Sequence, residues 1–309
     1  MPFHLVGIDE AGYGPQLGPL VVSAVVFELP DAMLVNQHPL PKMACLWKTL
    51  SNVVSGNRLR DKSHKVVVCD SKALYQPVRG IKELEKTALV FKRLIDFEYH
   101  RYNGLTVPLS ADNNEINHLV KTLRIELNKN SIRFCEVKAS IIEPAEFNGG
   151  IRRLRNKADF LWEVSGGLIK YCVDKYNSDS LVIIRAGKQG GRNYYLPYMQ
   201  GLFAGRIIHP AEQGFDNSSY VIKANPSSDA IISFIRDGDS SEFVIALASI
   251  FSKYYRELSM LKLNRFFRSH IPSLKPTSGY HTDSRRFIRV VNPLFNKLNL
   301  DRNDFIRIR

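Results

Sequence analysis

No stretch of this 309-residue chain holds about 18 consecutive apolar residues, so nothing in it reads as a membrane span. Cysteine is scarce. Cys45, Cys69, Cys135 and Cys172 lie far apart, without CxxC spacing or a close histidine. This pattern argues against a structural zinc site, and the density is too low for a disulfide framework. The histidines are scattered and carry no ligand spacing. No G-K-[ST] follows a glycine-rich loop, which excludes a P-loop. The opening residues, MPFHLVGIDE, have no basic segment leading into a long apolar run, so no secretory signal is expected there. Internal repeats and low-complexity tracts are absent. These absences lead us to expect a reducing, cytoplasmic setting and no membrane association.

Acidic residues are also outnumbered. Lys and Arg total 43 against 30 Asp and Glu, a formal net charge of +13. That balance favours a polyanionic partner, nucleic acid above all. Apolar residues make up 44% of the chain, ordinary for a globular protein, and the length allows a substantial core.

The most informative segment is 6–19, VGIDEAGYGPQLGP. Asp9 and Glu10 end an apolar run beginning at Phe3, so a sheet should deliver both carboxylates to its carboxyl edge. Gly12, Gly14 and Gly18 leave backbone amides unobstructed, while Pro15 and Pro19 stiffen the loop. Carboxylates bind hard divalent cations, and open amides admit a polyanion. The pairing suggests metal-dependent chemistry on a phosphodiester. A turn capped by Asp9, with Glu10 in a surface ion pair, is the plainer reading. A dinucleotide fingerprint is excluded, because the glycine spacing differs and a strand, not a helix, follows at 20–29.

Hydrophobic periodicity places strands near 3–9, 20–28, 65–69, 133–143, 181–184 and 219–224. Helices are expected near 80–95, 157–176, 243–267 and 283–291. An antiparallel pair followed by alternating strands and helices gives a mixed α/β class. Residues 30–64 and 100–130 lack a clear motif and read as insertions on a single catalytic domain covering 1–309.

Four separated motifs combine: VGIDEAGYGPQLGP, CDSKAL at 69–74, ALASIFSKYYRE at 246–257 and SGYHT at 278–282. In this order they resemble the ribonuclease HII family, whose pattern runs DEAGRGP, DSK, ASxxAKxxRD and GYGT. Ser249, Lys253 and Glu257, four residues apart, would share one helix face. The resemblance implies a ribonuclease H-like fold: a mixed five-stranded sheet flanked by helices, here with insertions. It implies endonucleolytic hydrolysis of RNA in RNA–DNA hybrids, or at ribonucleotides embedded in a DNA duplex. It also implies two Mg²⁺ or Mn²⁺ ions held by four carboxylates, about 4 Å apart.

Carried over by position, Asp9, Glu10 and Glu257 match three of those acids. The fourth is missing: RAGKQGGR offers Gly187 at the best-matching position, and Asp216, Asp237 and Asp239 are possible substitutes whose spacing singles out none. Gly12, Tyr13 and Gly14 stand where the family has Gly-Arg-Gly and reads the ribose 2′-hydroxyl. Tyr280 matches the family tyrosine that packs on the sugar. Lys72 and Lys253 match residues near the phosphates, and Arg192 follows Gly190 and Gly191 in a loop able to hold a phosphate. His281 replaces a glycine. A nucleic-acid-binding protein with impaired turnover, and a resolvase or DNA endonuclease on the same scaffold, remain open alternatives.

Overall fold

The computed structural model describes residues 1–35, 40–57, 65–75, 80–178, 180–223 and 229–308. Parts of the first expected insertion (36–39 and 58–64) lie outside the described residues, as does residue 224 of the strand expected at 219–224.

Seven strands form the main sheet: β1 (Phe3–Ala11), β2 (Leu20–Leu29), β3 (Arg133–Ile142), β4 (Val182–Gly187), β5 (Ile207–Gln213), β6 (Asn217–Lys223) and β7 (Ala230–Ile235). Their order is β5-β6-β7-β4-β1-β2-β3. β4 runs parallel to both β1 and β7, and every other neighbouring pair is antiparallel. The run β3-β2-β1-β4-β7 supplies the expected mixed five-stranded core. The β5–β6 hairpin extends it to seven. Among the described residues, Val66–Val67, within the strand expected at 65–69, pairs only with Val54–Ser55, outside the main sheet.

Both faces of the sheet are covered, which is why β1, β2, β4 and β7 read as nearly continuous apolar runs. Alternation sends Phe3 and Leu5 to one face and Val6 and Ile8 to the other. On the first face lie α1 (Lys82–Ile95), α2 (Asn113–Lys129) and α4 (Phe243–His270); on the second lies α3 (Lys157–Tyr176). α5 (His281–Lys297) closes one end, where Phe287, Val291 and Phe295 pack with Phe267 of α4.

Residues 100–130 are built into this core. Ile116, Leu119, Val120, Leu123 and Leu127 form a helical stripe within the first layer. Asp112 caps α2 by accepting from the Glu115 N–H at 2.7 Å. The preceding loop is pinned by buried Glu85, which accepts from the N–H groups of Leu109, Ser110 and Ala111 at 2.7–3.0 Å.

The position of α4 is set at Gly7. A Cβ there would lie 2.0 Å from the Val244 carbonyl oxygen and 2.2 Å from its carbon. Only glycine lets helix backbone rest this closely on β1. Gly7→Ala should therefore cost about 3 kcal/mol through overpacking, read as a lowered urea midpoint in equilibrium unfolding.

Candidate active site

The carboxyl edges of β1, β4 and β7 open into a cavity of about 290 Å³. All four sequence motifs reach it. Asp9, Glu10, Gly12 and Tyr13 come from the first, Ser71 and Lys72 from the second, Ser249 and Lys253 from α4, and Tyr280 from the last. Gly187, Lys188, Asp237 and Asp239 complete much of the remaining wall.

Each group has an identifiable support. Ser252 donates to the Asp9 carbonyl at 2.8 Å, fastening α4 to the end of β1. The Ser249 hydroxyl hydrogen-bonds the Asp9 carboxylate and lies 2.8 Å from the Ser71 hydroxyl, tying the DSK segment to the helix. Asp70 caps the short helix Ser71–Leu74, accepting from the Lys72 N–H at 2.8 Å. At the end of β7, Asp237 adopts a left-handed φ of 49°. Aspartate tolerates this conformation better than most residues. The turn leads into the helical turn Gly238–Ser241 and brings Asp239 to the cavity wall, with Lys72 Nζ 3.9 Å from its carboxylate.

The acids repel one another. Burial, then the charges of Glu10 and Asp239, raise Asp9 well above the usual carboxylate range, and the Ser249 hydroxyl offsets only part of this. Burial pushes Glu10 up to about 7, with Asp239 adding to the rise and Lys72 opposing it. Asp239 is raised too, by burial and then by Asp70. Such crowding favours a bound cation, which would relieve the repulsion.

The glycine loop is gripped from behind by two buried arginines absent from the sequence reading. Arg307 donates to the carbonyls of Gly12 and Tyr13, at 2.9 Å for Tyr13, with its guanidinium 3.7 Å from the centre of the Phe147 ring. Arg256 donates to Ser278 O at 3.1 Å and Leu17 O at 3.3 Å, so it joins the first loop to the last motif. At Gly12, φ is +86° and a Cβ would meet Pro19 O at 2.5 Å. Any side chain there would displace the loop.

Two expectations change. Glu257 does not join Asp9 and Glu10. It lies eight residues beyond Ser249 on α4, about 12 Å along the axis at the helical rise, so a shared face did not bring a shared depth. Glu257 instead accepts from Lys253 Nζ at 2.6 Å, faces Arg256 at 3.4 Å, hydrogen-bonds Tyr75 and borders a neighbouring cavity. Asp237 and Asp239 are the further acids of the cavity wall, and Asp239, which spacing alone did not single out, is the one whose charge acts on Asp9 and Glu10. Arg192 also stands away from the acids. Asp159 holds it at 3.1 Å, and its guanidinium lies 3.9 Å from the Tyr198 ring centre. His281 does not line the cavity; it begins α5 at a φ of 28°.

Gly187 is where the reading put the vacancy. It follows the paired residues Ile8 and Ala186, and a Cβ on it would lie 2.6 Å from Asp9 Oδ1. A carboxylate at 187 would stand beside Asp9. Among the described residues, no group of three or more His, Cys, Asp or Glu side chains is close enough to share one ion. Two adjacent carboxylates with water ligands nevertheless suit Mg²⁺, which keeps several waters and is often held by one or two acids. The donors fit one ion. They do not furnish a second complete set.

No protein-family model matches the chain, and no curated protein matches it in sequence. Solved structures do resemble it. The PCNA:RNase HII complex from Archaeoglobus fulgidus contains a chain 16% identical, matched over 99% of this chain and 95% of that one, with a TM-score of 0.44. Ribonuclease H2 from Pyrococcus horikoshii OT3 is 14% identical over 98% of this chain and 92% of that one, with a TM-score of 0.49. Bst-RNase HIII in complex with Mn²⁺ is 13% identical over 99% of this chain and 66% of that one, with a TM-score of 0.45.

Two outcomes follow from the site's electrostatics. The folded chain keeps a proton on Glu10 up to about pH 7, whereas an ordinary glutamate loses it near 4.5. Stability of the cation-free protein should therefore fall as pH rises through that window. Glu10→Gln should flatten that fall in a Tm-versus-pH series. In a Mn²⁺ titration, Asp239→Asn should weaken affinity at least about 10-fold, while Glu257→Gln leaves it unchanged.

Proposed function

We propose that this chain is a divalent-metal-dependent ribonuclease of the HII type, hydrolysing RNA in RNA–DNA hybrids or at ribonucleotides embedded in duplex DNA. One observation carries this reading. Motifs spread from residue 9 to residue 280, each weak alone, line a single acidic cavity. The net charge of +13 supplies attraction for the duplex.

Asp9 and Glu10 would hold Mg²⁺ or Mn²⁺, with Asp239 on the same wall to accept hydrogen bonds from the ion's water ligands. Such an ion, when bound, lowers the pKa of water and neutralises phosphate charge. The chain's own groups do the positioning. Lys72 and Lys253 lie on the cavity wall, where their ammonium groups would draw in phosphate oxygens. Lys253 is held in place by its contact with Glu257 and lies 4.4 Å from the Tyr75 ring centre. The arginine-fixed loop at Gly12–Gly14 would present backbone amides to the ribose. Tyr13 stands where the family has arginine, with Lys157 Nζ 4.7 Å from its ring centre. A cation is thus supplied beside the loop by α3. Tyr280 is 42% exposed and offers an aromatic plane to a sugar or base.

Gly187 favours a second reading, a protein that binds hybrids but turns them over poorly, because the ligand beside Asp9 is lost. No helix among the described residues is long and apolar enough to cross a membrane, and no membrane partner is proposed. The proposed setting is the cytoplasm.

A labelled hybrid containing one ribonucleotide, incubated with Mg²⁺ or Mn²⁺, tests both readings. Cleavage that requires the cation and is lost in Asp9→Asn supports the enzyme. Binding without product, converted to cleavage by Gly187→Asp, supports the impaired form. Absence of product at high Mn²⁺ from both the natural chain and Gly187→Asp would end the nuclease reading.

A further inference from the structure

The β5–β6 hairpin lies outside the five-stranded core, yet its tip is bonded to Lys188, a residue of the cavity wall. Phe215, at that tip, is 62% exposed. Other apolar side chains are as open, Ile125 and Tyr194 among them, but the surroundings of Phe215 hold it in place beside a cation. Lys188 donates to the carbonyl oxygens of Gly214 and Phe215, at 3.0 Å for Phe215. The Arg236 N–H donates to Asp216 O at 2.8 Å, and the Gly214 N–H donates to Asn217 O at 2.9 Å. The guanidinium of Arg236 lies 4.1 Å from the Phe215 ring centre.

The same residues connect the tip to the acids. Lys188 itself lines the cavity, and Arg236 lies between cavity-lining Ile235 and Asp237. The tip is therefore joined to the cavity wall through Lys188, next to Gly187, with the ring itself outside the wall. We propose that Phe215, backed by Arg236, is a stacking platform for the base of a nucleotide flanking the one held at the acids. This rests on the nuclease reading above and adds a contact for the strand outside the reacting nucleotide.

Chemistry selects a base over a phosphate at this point. Arg236 is already faced by the carboxylates of Asp216 at 3.7 Å and Asp237 at 3.6 Å. Those charges repel a phosphate and leave the aromatic surface as the attractive element. Aromatic side chains with an adjoining cation stack on any base, independently of sequence.

The test uses hybrid duplexes with 2-aminopurine at successive positions on either side of the ribonucleotide, bound to the full chain with Ca²⁺ as the cation. We expect fluorescence to be quenched at one flanking position. Phe215→Trp should keep that quenching, while Phe215→Ala should remove it and weaken binding about five-fold or more. Phe215 is open to solvent, so these variants should melt with the natural chain, which a thermal scan checks. If Phe215→Ala binds as tightly with the quenching intact, the platform is overturned and the nuclease reading stands. If the unaltered chain binds no hybrid, the nuclease reading falls, and the platform with it.

Discussion

The approach of α4 to β1 at Gly7 is the constraint on which the site depends. Because helix backbone occupies the space a side chain would take, the register between Phe243–His270 and Phe3–Ala11 is fixed to within a small distance. Everything that α4 contributes follows from that register. Ser249 and Ser252 meet the end of β1, Lys253 reaches the cavity, and Arg256 passes behind the glycine loop. A strand can place two adjacent carboxylates, but without this helix they would lack the hydroxyls and cations that orient them.

Crowding of negative groups is the complementary feature. Asp9, Glu10 and Asp239 are held in one partly dehydrated space, with Asp70 and Asp237 close to Asp239. A fold that only needed stability would not collect acids in this way, since each raises the cost of ionising its neighbours. Lys72 compensates for little of this, because its side chain is 81% exposed and its closest approach to Asp239 is 3.9 Å. The arrangement is stored electrostatic repulsion that a divalent ion would relieve.

Much of this was legible in the residues. The apolar run into Asp9-Glu10 and the prolines and glycines after it are local signals, and local signals report strand ends and loops well. Convergence of DSK, the α4 motif and SGYHT followed from resemblance rather than from periodicity. Glu257 misled because i, i+4 spacing defines a face of a helix and says nothing of how far along the axis the site lies. Asp239 was hidden because its placement depends on the left-handed turn at Asp237, a tertiary choice that an Asp-Gly-Asp string does not dictate. The stripe Ile116, Leu119, Val120, Leu123 and Leu127 was present but lay among asparagines that masked it. The apolar run at β7 was too short to declare its type, and β5, with Pro210 and little burial, carried almost no strand signal.

Arg307 joins two distant parts of the polypeptide: it holds the carbonyls of residues 12 and 13, and its own N–H donates to Gln16 O at 2.9 Å. The loop and the guanidinium that shapes it lie nearly three hundred residues apart in the sequence. A polypeptide stopped short of residue 307 could still form the sheet and gather its acids. The glycine loop would remain unset, so its shape is a property of the tertiary fold and not of its own local sequence.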